Sequence, residues 1–227
     1  GVMAVENSIA GTILPNLGIL HNAHIQVVGE YYLRIRQNLM VLPDVELDDI
    51  EEVQSHPIAL LQCVDFLDAH RWKLVETEDT ALSARYIAEH KVRHAAAIAG
   101  DLAAKLFGLK IVAPDIHSIK NNYTRFLLLR PAGQPIPEGA NKASLCFKTN
   151  HEHGSLIKVL RAIENSSINM SKLQSSPIPS EPWHYMFHVD MEFDTMEEYE
   201  EVIANMKLVS QELHVYGVYK RGLSTEA

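Results

Sequence analysis

The chain has 227 residues, 47% hydrophobic and 22% charged, with a net charge of −9. That length holds one or two domains with ordinary cores. The acidic balance excludes broad attraction to nucleic-acid backbones or anionic membranes, so an anionic small molecule would need a local cationic pocket.

Residues 1–5 (GVMAV) predict a buried strand, and ENSIAG (6–11) a turn. Residues 12–23 predict a short helix with Pro15 in its first turn. Residues 25–42 are β-rich, alternating in their second half. A helix is expected over 55–70, capped by Ser55, with Pro57 in its first turn and Leu60, Leu61, Val64 and Leu67 on one apolar face. A strand at 72–77 leads to a helix over 81–90 capped by Asp79 or Thr80. A short buried strand (94–100) precedes a helix (101–108) that Gly108 ends in a left-handed turn. Strands follow at 109–113 and 123–130. This rhythm argues an α/β domain with both sheet faces covered.

PAGQPIPEGANK (131–142), with three prolines and two glycines, reads as a linker. Beyond it the order is β-α-β-β-α-β. The strands are 143–149, 168–176, 183–192 and 212–220; the helices are 154–166 and 195–210. Thr195 and Glu198 form a capping box. Val189 and Met191 alternate with His188, Asp190 and Glu192, the pattern of a half-exposed strand. This is the ferredoxin-like split βαβ plan, whose open outer strands favour pairing between subunits.

Cys63 and Cys146, far apart and flanked by apolar residues, fit a reduced interior. Apolar runs such as 126–129 and 95–99 fall far short of the ~20 residues of a membrane span. No signal peptide is visible, so the expected location is the cytoplasm. Among the twelve histidines, His151 and His153 lack a third ligand in sequence reach. His184 and His188, on a strand, would lie more than ~13 Å apart, so no metal site is expected.

Polar groups concentrate at ENS (6–8), SHP (55–57), EDT (78–80) and NNYTRF (121–126), where strands end and helices begin. Ligands of open α/β sheets bind at such ends, helped by helix N-terminal amides. Arg125 offers a fork for a carboxylate and Thr124 a hydroxyl donor. Asn7, Asn122 and Gln62 offer amides, while Glu6 and His56 can titrate. Each has a plainer alternative. Thr124 suits a strand by propensity, Arg125 a surface ion pair, Ser55 and Thr80 a helix cap, and Glu6 a nearby Lys or Arg.

ENSIAG, SHPIALLQC, DTALSA, AAIAG…AAKLFGL and NNYTRFLLL, in this order and spacing, resemble the prephenate dehydratase family. HGSLIKVLRAIENSSINMSKLQSSP resembles the ACT regulatory domain that follows it there. The resemblance implies a two-lobed, periplasmic-binding-protein-like α/β catalytic domain (1–130), a linker (131–142) and a ferredoxin-like ACT domain (143–227). The family's glycine-rich opening strand–loop–helix has no counterpart before Gly1, so the catalytic domain is expected to be incomplete at its N-terminus.

Carried over position by position, Thr124 matches the catalytic threonine, with Arg125 and Phe126 after it. Asn7 and Ser8, beside Glu6, match the family's Asn-Ser. Ser55, His56, Gln62 and Thr80 match its further motifs, and Asn122, two residues before Thr124, adds the amide noted above. All of these are expected to bind substrate. Effector binding is expected at Gly154, Ser155, Leu156, Ile157, Asn169, Gln174 and Ser176. Gly154-Ser155-Leu156 stands where the family has Gly-Ala-Leu, and Gln174-Ser175-Ser176-Pro177 where it has Glu-Ser-Arg-Pro, so a charge and an arginine are missing.

The implied reaction is loss of CO2 and water from prephenate to give phenylpyruvate. Aromatisation drives it, so no cofactor is implied. Arg125 would hold one carboxylate, Phe126 would keep the departing one poorly solvated, and Thr124 would donate to the leaving hydroxyl; Glu6 or His56 is the rival proton donor. Phenylalanine is the expected effector and a homodimer or homotetramer the expected assembly, with no nucleic-acid or membrane partner. Arogenate as substrate, or a non-catalytic aromatic amino-acid sensor, are the alternatives.

Overall fold

The computed structural model describes residues 1–222. The elements run β1 (Val2–Asn7), β2 (Gly11–Thr12), α1 (Leu14–Asn22), β3 (Ile25–Arg34), β4 (Asn38–Val41), β5 (Glu52–Ser55), α2 (Pro57–Gln62), α3 (Val64–Leu67), β6 (Lys73–Glu76), α4 (Thr80–His90), β7 (Ala95–Ala99), α5 (Asp101–Phe107), β8 (Lys110–Ala113) and β9 (Tyr123–Pro131). There follow β10 (Lys142–Lys148), α6 (Ser155–Glu164), β11 (Asn169–Pro177), β12 (Tyr185–Glu192), α7 (Met196–Val209) and β13 (Glu212–Tyr219). No helix among the described residues is long and apolar enough to cross a membrane.

The chain forms two compact units. One is Arg34–Asn122, built on a five-stranded sheet of order β6-β5-β7-β4-β8. β5 runs parallel to β6 and β7, whereas β4 is antiparallel to β7 and β8. β7 is buried throughout, and its alternation sends Ala95, Ala97 and Ala99 to one core and Ala96 and Ile98 to the other. Ala84, Ile87, Ala103 and Ala104 of α4 and α5 cover the first face; Leu60 of α2, Leu67 of α3 and Cys63 between them cover the second. Both faces of this sheet are covered, as the strand and helix rhythm predicts.

The expected 55–70 helix is interrupted. Cys63, at φ −110° and ψ 15°, leaves the helical region and separates α2 from α3. The break keeps Leu60, Cys63 and Leu67 buried but turns Leu61 and Val64 outward, 69% and 40% exposed. Ser55 is not the cap: it ends β5, fully buried, and its hydroxyl donates to Ile98 O at 2.7 Å. The His56 ring caps α2 instead, Nδ1 accepting from the Ile58 amide at 3.2 Å. Asp79 caps α4, leaving Thr80 as its first residue.

The other unit joins Gly1–Leu33 to the chain from Tyr123 onward. Its first sheet has the order β2-β1-β9-β3 and its second β11-β12-β10-β13. The second sheet, with α6 and α7, realises the split βαβ plan. Leu145, Phe147, Val189 and Met191 on one face pack with Val159, Ile163, Val202 and Met206 of the two helices. The opposite face packs on the first sheet and on α1, where Cys146, Met186, Tyr216 and Tyr219 meet Val5, Val27, Leu127 and Leu129 of the sheet and Leu17 and Leu20 of the helix. Hence β12 is not half-exposed: His188 and Asp190, on the face read as solvated, are buried under β1 and β9. The proline-rich segment joins β9 to β10 inside this unit, so the expected boundary at 131–142 falls within a compact body.

Candidate active site

Thr124 lies near the start of β9, opposite Asn7 on the antiparallel strand β1. The Asn7 amide donates to Thr124 Oγ1 and to Tyr123 O, both at 3.1 Å. Its carbonyl oxygen accepts from the Ile9 and Ala10 amides at 3.0 and 2.9 Å, an Asx turn that closes β1. Ser8 completes the clasp: its amide donates to Tyr123 O at 2.8 Å and its hydroxyl accepts from Tyr123 N at 2.9 Å. One lone pair of Thr124 is thus taken by an amide donor, which leaves the hydroxyl proton to be given elsewhere.

Strand alternation decides the rest. Thr124, Phe126 and Leu128 share one face of β9, and Arg125, Leu127 and Leu129 the other. Thr124 and Phe126 are half-buried, while Arg125 is buried against the second sheet. The guanidinium donates to Glu30 Oε2 at 2.7 Å, to the Asp190 carboxylate, and to Tyr219 OH at 3.1 Å. Burial opposes its charge, but Asp190, Tyr219 and Glu30 more than offset this and hold Arg125 firmly protonated. Asp190 is likewise kept ionised against its burial by Arg125 and Ser144. The expectation that Arg125 faces the same surface as Thr124 is therefore corrected: neighbours in a strand point apart, and this guanidinium is committed to protein partners. Glu6 is bound too, to Lys172 Nζ at 2.8 Å and to Arg125 at 3.8 Å.

In the Arg34–Asn122 unit, Ser55 and His56 act locally as described above. Gln62 accepts from the Gln37 side chain at 3.2 Å, Thr80 opens α4, and Asn122 is fully buried, its carbonyl taking the Ile35 amide at 2.8 Å. His117, which no motif singled out, is 1% exposed. Its Nδ1 accepts from the Gln37 amide at 3.3 Å, so Nε2 carries the proton, and that donor has no partner among the described residues. Burial, aided by nearby Lys120, pushes its pKa below the ordinary value.

The expected effector residues are not gathered in one place. Gly154, at φ 77°, turns the chain into α6. Ser155 and Leu156 line a hollow of about 380 Å³ with His151, His184, Trp183 and Phe187. Ile157 and Asn169 are exposed, Gln174 donates to Ser175 O at 2.8 Å, and Ser176 bonds His188 at 2.9 Å. His151 and His184 approach to 5.2 Å between ring centres, yet no group of three metal-binding side chains gathers among the described residues.

Residues 1–134 match the family described as prephenate dehydratase. The chain is 34% identical, over 96% of its own length and 60% of the relative's, to a protein of Arabidopsis thaliana named arogenate dehydratase/prephenate dehydratase 2, chloroplastic. It spans about 60% of the curated relatives it matches. A solved prephenate dehydratase from Arthrobacter aurescens, described as in complex with L-Phe, superposes with a TM-score of 0.85 at 28% identity, covering 97% of this chain and 74% of that one. Another solved structure, described as a quorum quenching acylase, gives 0.86 at 28% identity, covering 99% and 82%.

Proposed function

The chain belongs to the prephenate dehydratase family, and from that premise we propose that it serves the decarboxylating dehydration of prephenate to phenylpyruvate, with Thr124 as hydrogen-bond donor to the leaving hydroxyl. The observation that carries this reading is the 3.1 Å bond from the Asn7 amide to Thr124 Oγ1.

In the reaction, the bond from the ring to its carboxylate breaks and CO2 departs. Its electron pair enters the ring, the C–OH bond on the far side breaks, and the hydroxyl leaves as water after gaining one proton. A threonine hydroxyl is too weak an acid to supply that proton outright near neutral pH. It can lower the barrier as a preorganised donor to the developing negative charge. Asn7 supports this by occupying the acceptor side of Thr124, and Phe126 offers an apolar surface on the same face of β9. With Arg125 committed elsewhere, substrate carboxylates fall to other donors. Within the unit that carries Thr124, the family's motifs offer Ser8 for this.

The acylase likeness supports a different chemistry less well. Acyl transfer by a hydroxyl needs an adjacent base to take its proton. Thr124 meets an amide donor, which cannot do so. Arogenate is the nearer alternative, because the Arabidopsis relative carries both names.

We further read residues 143–222 as an ACT-type effector domain, on its βαββαβ order and on the L-Phe described with the Arthrobacter protein. Ser155 and Leu156 at the aromatic hollow suit an aromatic amino acid. β11, at the sheet edge, suits pairing with a second copy.

The test is incubation of the complete protein with prephenate, with arogenate and with an N-acylated amine. Prephenate should yield the strong alkaline ultraviolet absorbance of phenylpyruvate. Phenylalanine formed from arogenate alone would reassign the substrate, and amide hydrolysis without dehydration would replace the reading. Calorimetry with phenylalanine tests the effector role separately.

A further inference from the structure

The pairing of β1 with β9 contains a slip. Val2, Met3 and Ala4 oppose Leu128, Leu127 and Phe126, but then Glu6 opposes Arg125 and Asn7 opposes Thr124. Val5 is the extra residue of a bulge, the device by which strands re-aim a side chain. Without it Asn7 would face Tyr123, and the bond to Thr124 Oγ1 would have no donor in place.

Both residues that follow the slip are held from the second sheet. Arg125 is tied to Asp190 of β12, which also accepts from Ser144 of β10. Glu6 is tied to Lys172 of β11, which also donates to Thr12 of β2 at 3.0 Å. Lys172 and Asp190 are themselves cross-strand partners. The buried core of the cluster is charge-balanced. Arg125 and Lys142 face Glu30 and Asp190, with Lys142 3.0 Å from Glu30, and none of the four is more than 6% exposed.

We propose that Asp190 and Lys172 are positioning residues for Thr124: through Arg125 and Glu6 they lock the slipped β1–β9 register that sets the Asn7 amide against the threonine hydroxyl. The C-terminal sheet is then part of the support of the reacting group, a role distinct from effector binding. This rests on the dehydratase reading for its kinetic consequence but not for its structural one.

The experiment compares Asp190→Asn and Lys172→Met with wild type in the complete protein, by prephenate turnover and by amide hydrogen exchange. Misplacing a catalytic group by about 1 Å costs on the order of 10²-fold. Each variant should therefore lose about 10- to 100-fold in kcat with KM within about twofold. In a Thr124→Val background neither should cause further loss. The amides of Ser8, Ile9, Ala10 and Tyr123 should exchange faster, while those of β7 should not.

Unchanged kcat with unchanged exchange at the clasp overturns the proposal, as does acceleration spread equally over both compact units. Lys172→Met, nearer the edge of the cluster, carries the test if Asp190→Asn does not fold. If wild type fails to turn over prephenate, the dehydratase reading falls and the exchange pattern alone decides the positioning role.

Discussion

The Arg125 guanidinium and the Asp190 carboxylate form a buried ion pair that joins the strand carrying Thr124 to the C-terminal sheet. Removing one partner of such a pair strands the other charge in a poorly solvated interior, at a typical cost of 3–5 kcal/mol. Asp190→Ala should lower unfolding stability by roughly that much. Arg125→Met should do the same, because it leaves Glu30 and Asp190 facing Lys142 alone. Denaturant unfolding of each variant checks this. A loss below ~1 kcal/mol would mean the cluster is hydrated and the cost has been overstated.

Thr124→Val removes the hydroxyl and keeps the shape. Losing one preorganised donor typically costs 10²–10³ in rate, so kcat should fall by about that factor with little change in KM. Asn7→Asp is the sharper probe. A carboxylate in that place would accept the Thr124 proton, reversing the hydrogen bond and leaving no donor for the substrate. It should lose kcat about as severely as Thr124→Val, although its size is unchanged. A variant that retained full kcat would show that the Asn7 bond does not set the direction of the hydroxyl.

The elements were legible because their signals are local. Pro57 and Gly108 bracket helices, Thr195 and Glu198 form the capping box, and the all-buried β7 reads directly as an interior strand. The second unit's core strands were found for the same reason. What side chains do across sheets was not legible. Thr124 and Arg125 read as one functional pair because they are adjacent, yet adjacency in a strand means opposite faces. The two-residue spacing of Arg125 from Leu127 and Leu129, which puts all three on one face, carried that information. His188 and Asp190 read as solvated because they are polar, and only the packing of a second sheet reveals them as buried. Ser55 lost its cap role to His56 one residue on, a shift within the ordinary uncertainty of helix ends.

His188 sits between the Ser176 hydroxyl at 2.9 Å and the Tyr216 hydroxyl at 3.0 Å. Burial first, then His21 and Lys172, push its pKa down to about 4, with Asp190 opposing. The folded ring therefore binds its proton more weakly than the unfolded one, whose ordinary value is 6.5. Between those limits the unfolded state holds more protons, so the ring's contribution is intact above pH 6.5 and is lost as pH falls toward 4. The loss should reach ~3 kcal/mol. Denaturant midpoints across that window should fall with acid in wild type and fall less in His188→Gln. Equal slopes would assign the acid sensitivity to other groups.

Neither cysteine should be reactive in the folded chain. Burial pushes the Cys63 thiol up to about 12 and the Cys146 thiol up to about 11, and the thiolate is the reacting form. Thiol-specific labelling near pH 8 should proceed only as fast as the protein opens and should speed up with denaturant. Prompt labelling of either residue in buffer would contradict the packing of its core.

Two glycines make opposite predictions. Gly217 lies where β13 crosses β3 so closely that an added Cβ would stand 2.0 Å from the Val27 carbonyl oxygen, with backbone and not a flexible side chain in the way. Gly217→Ala must push the two sheets apart, and with them the face that holds Asp190 against Arg125. Overpacking of this kind costs about 3 kcal/mol or more when no side chain can yield. Gly18, inside α1, has open space around the same position. Gly18→Ala should stabilise by roughly 0.5–1 kcal/mol through lost chain freedom in the unfolded state. Measured together by thermal unfolding, the two should move Tm in opposite directions. A tolerated Gly217→Ala would mean that the two sheets do not meet as closely as their shared core requires.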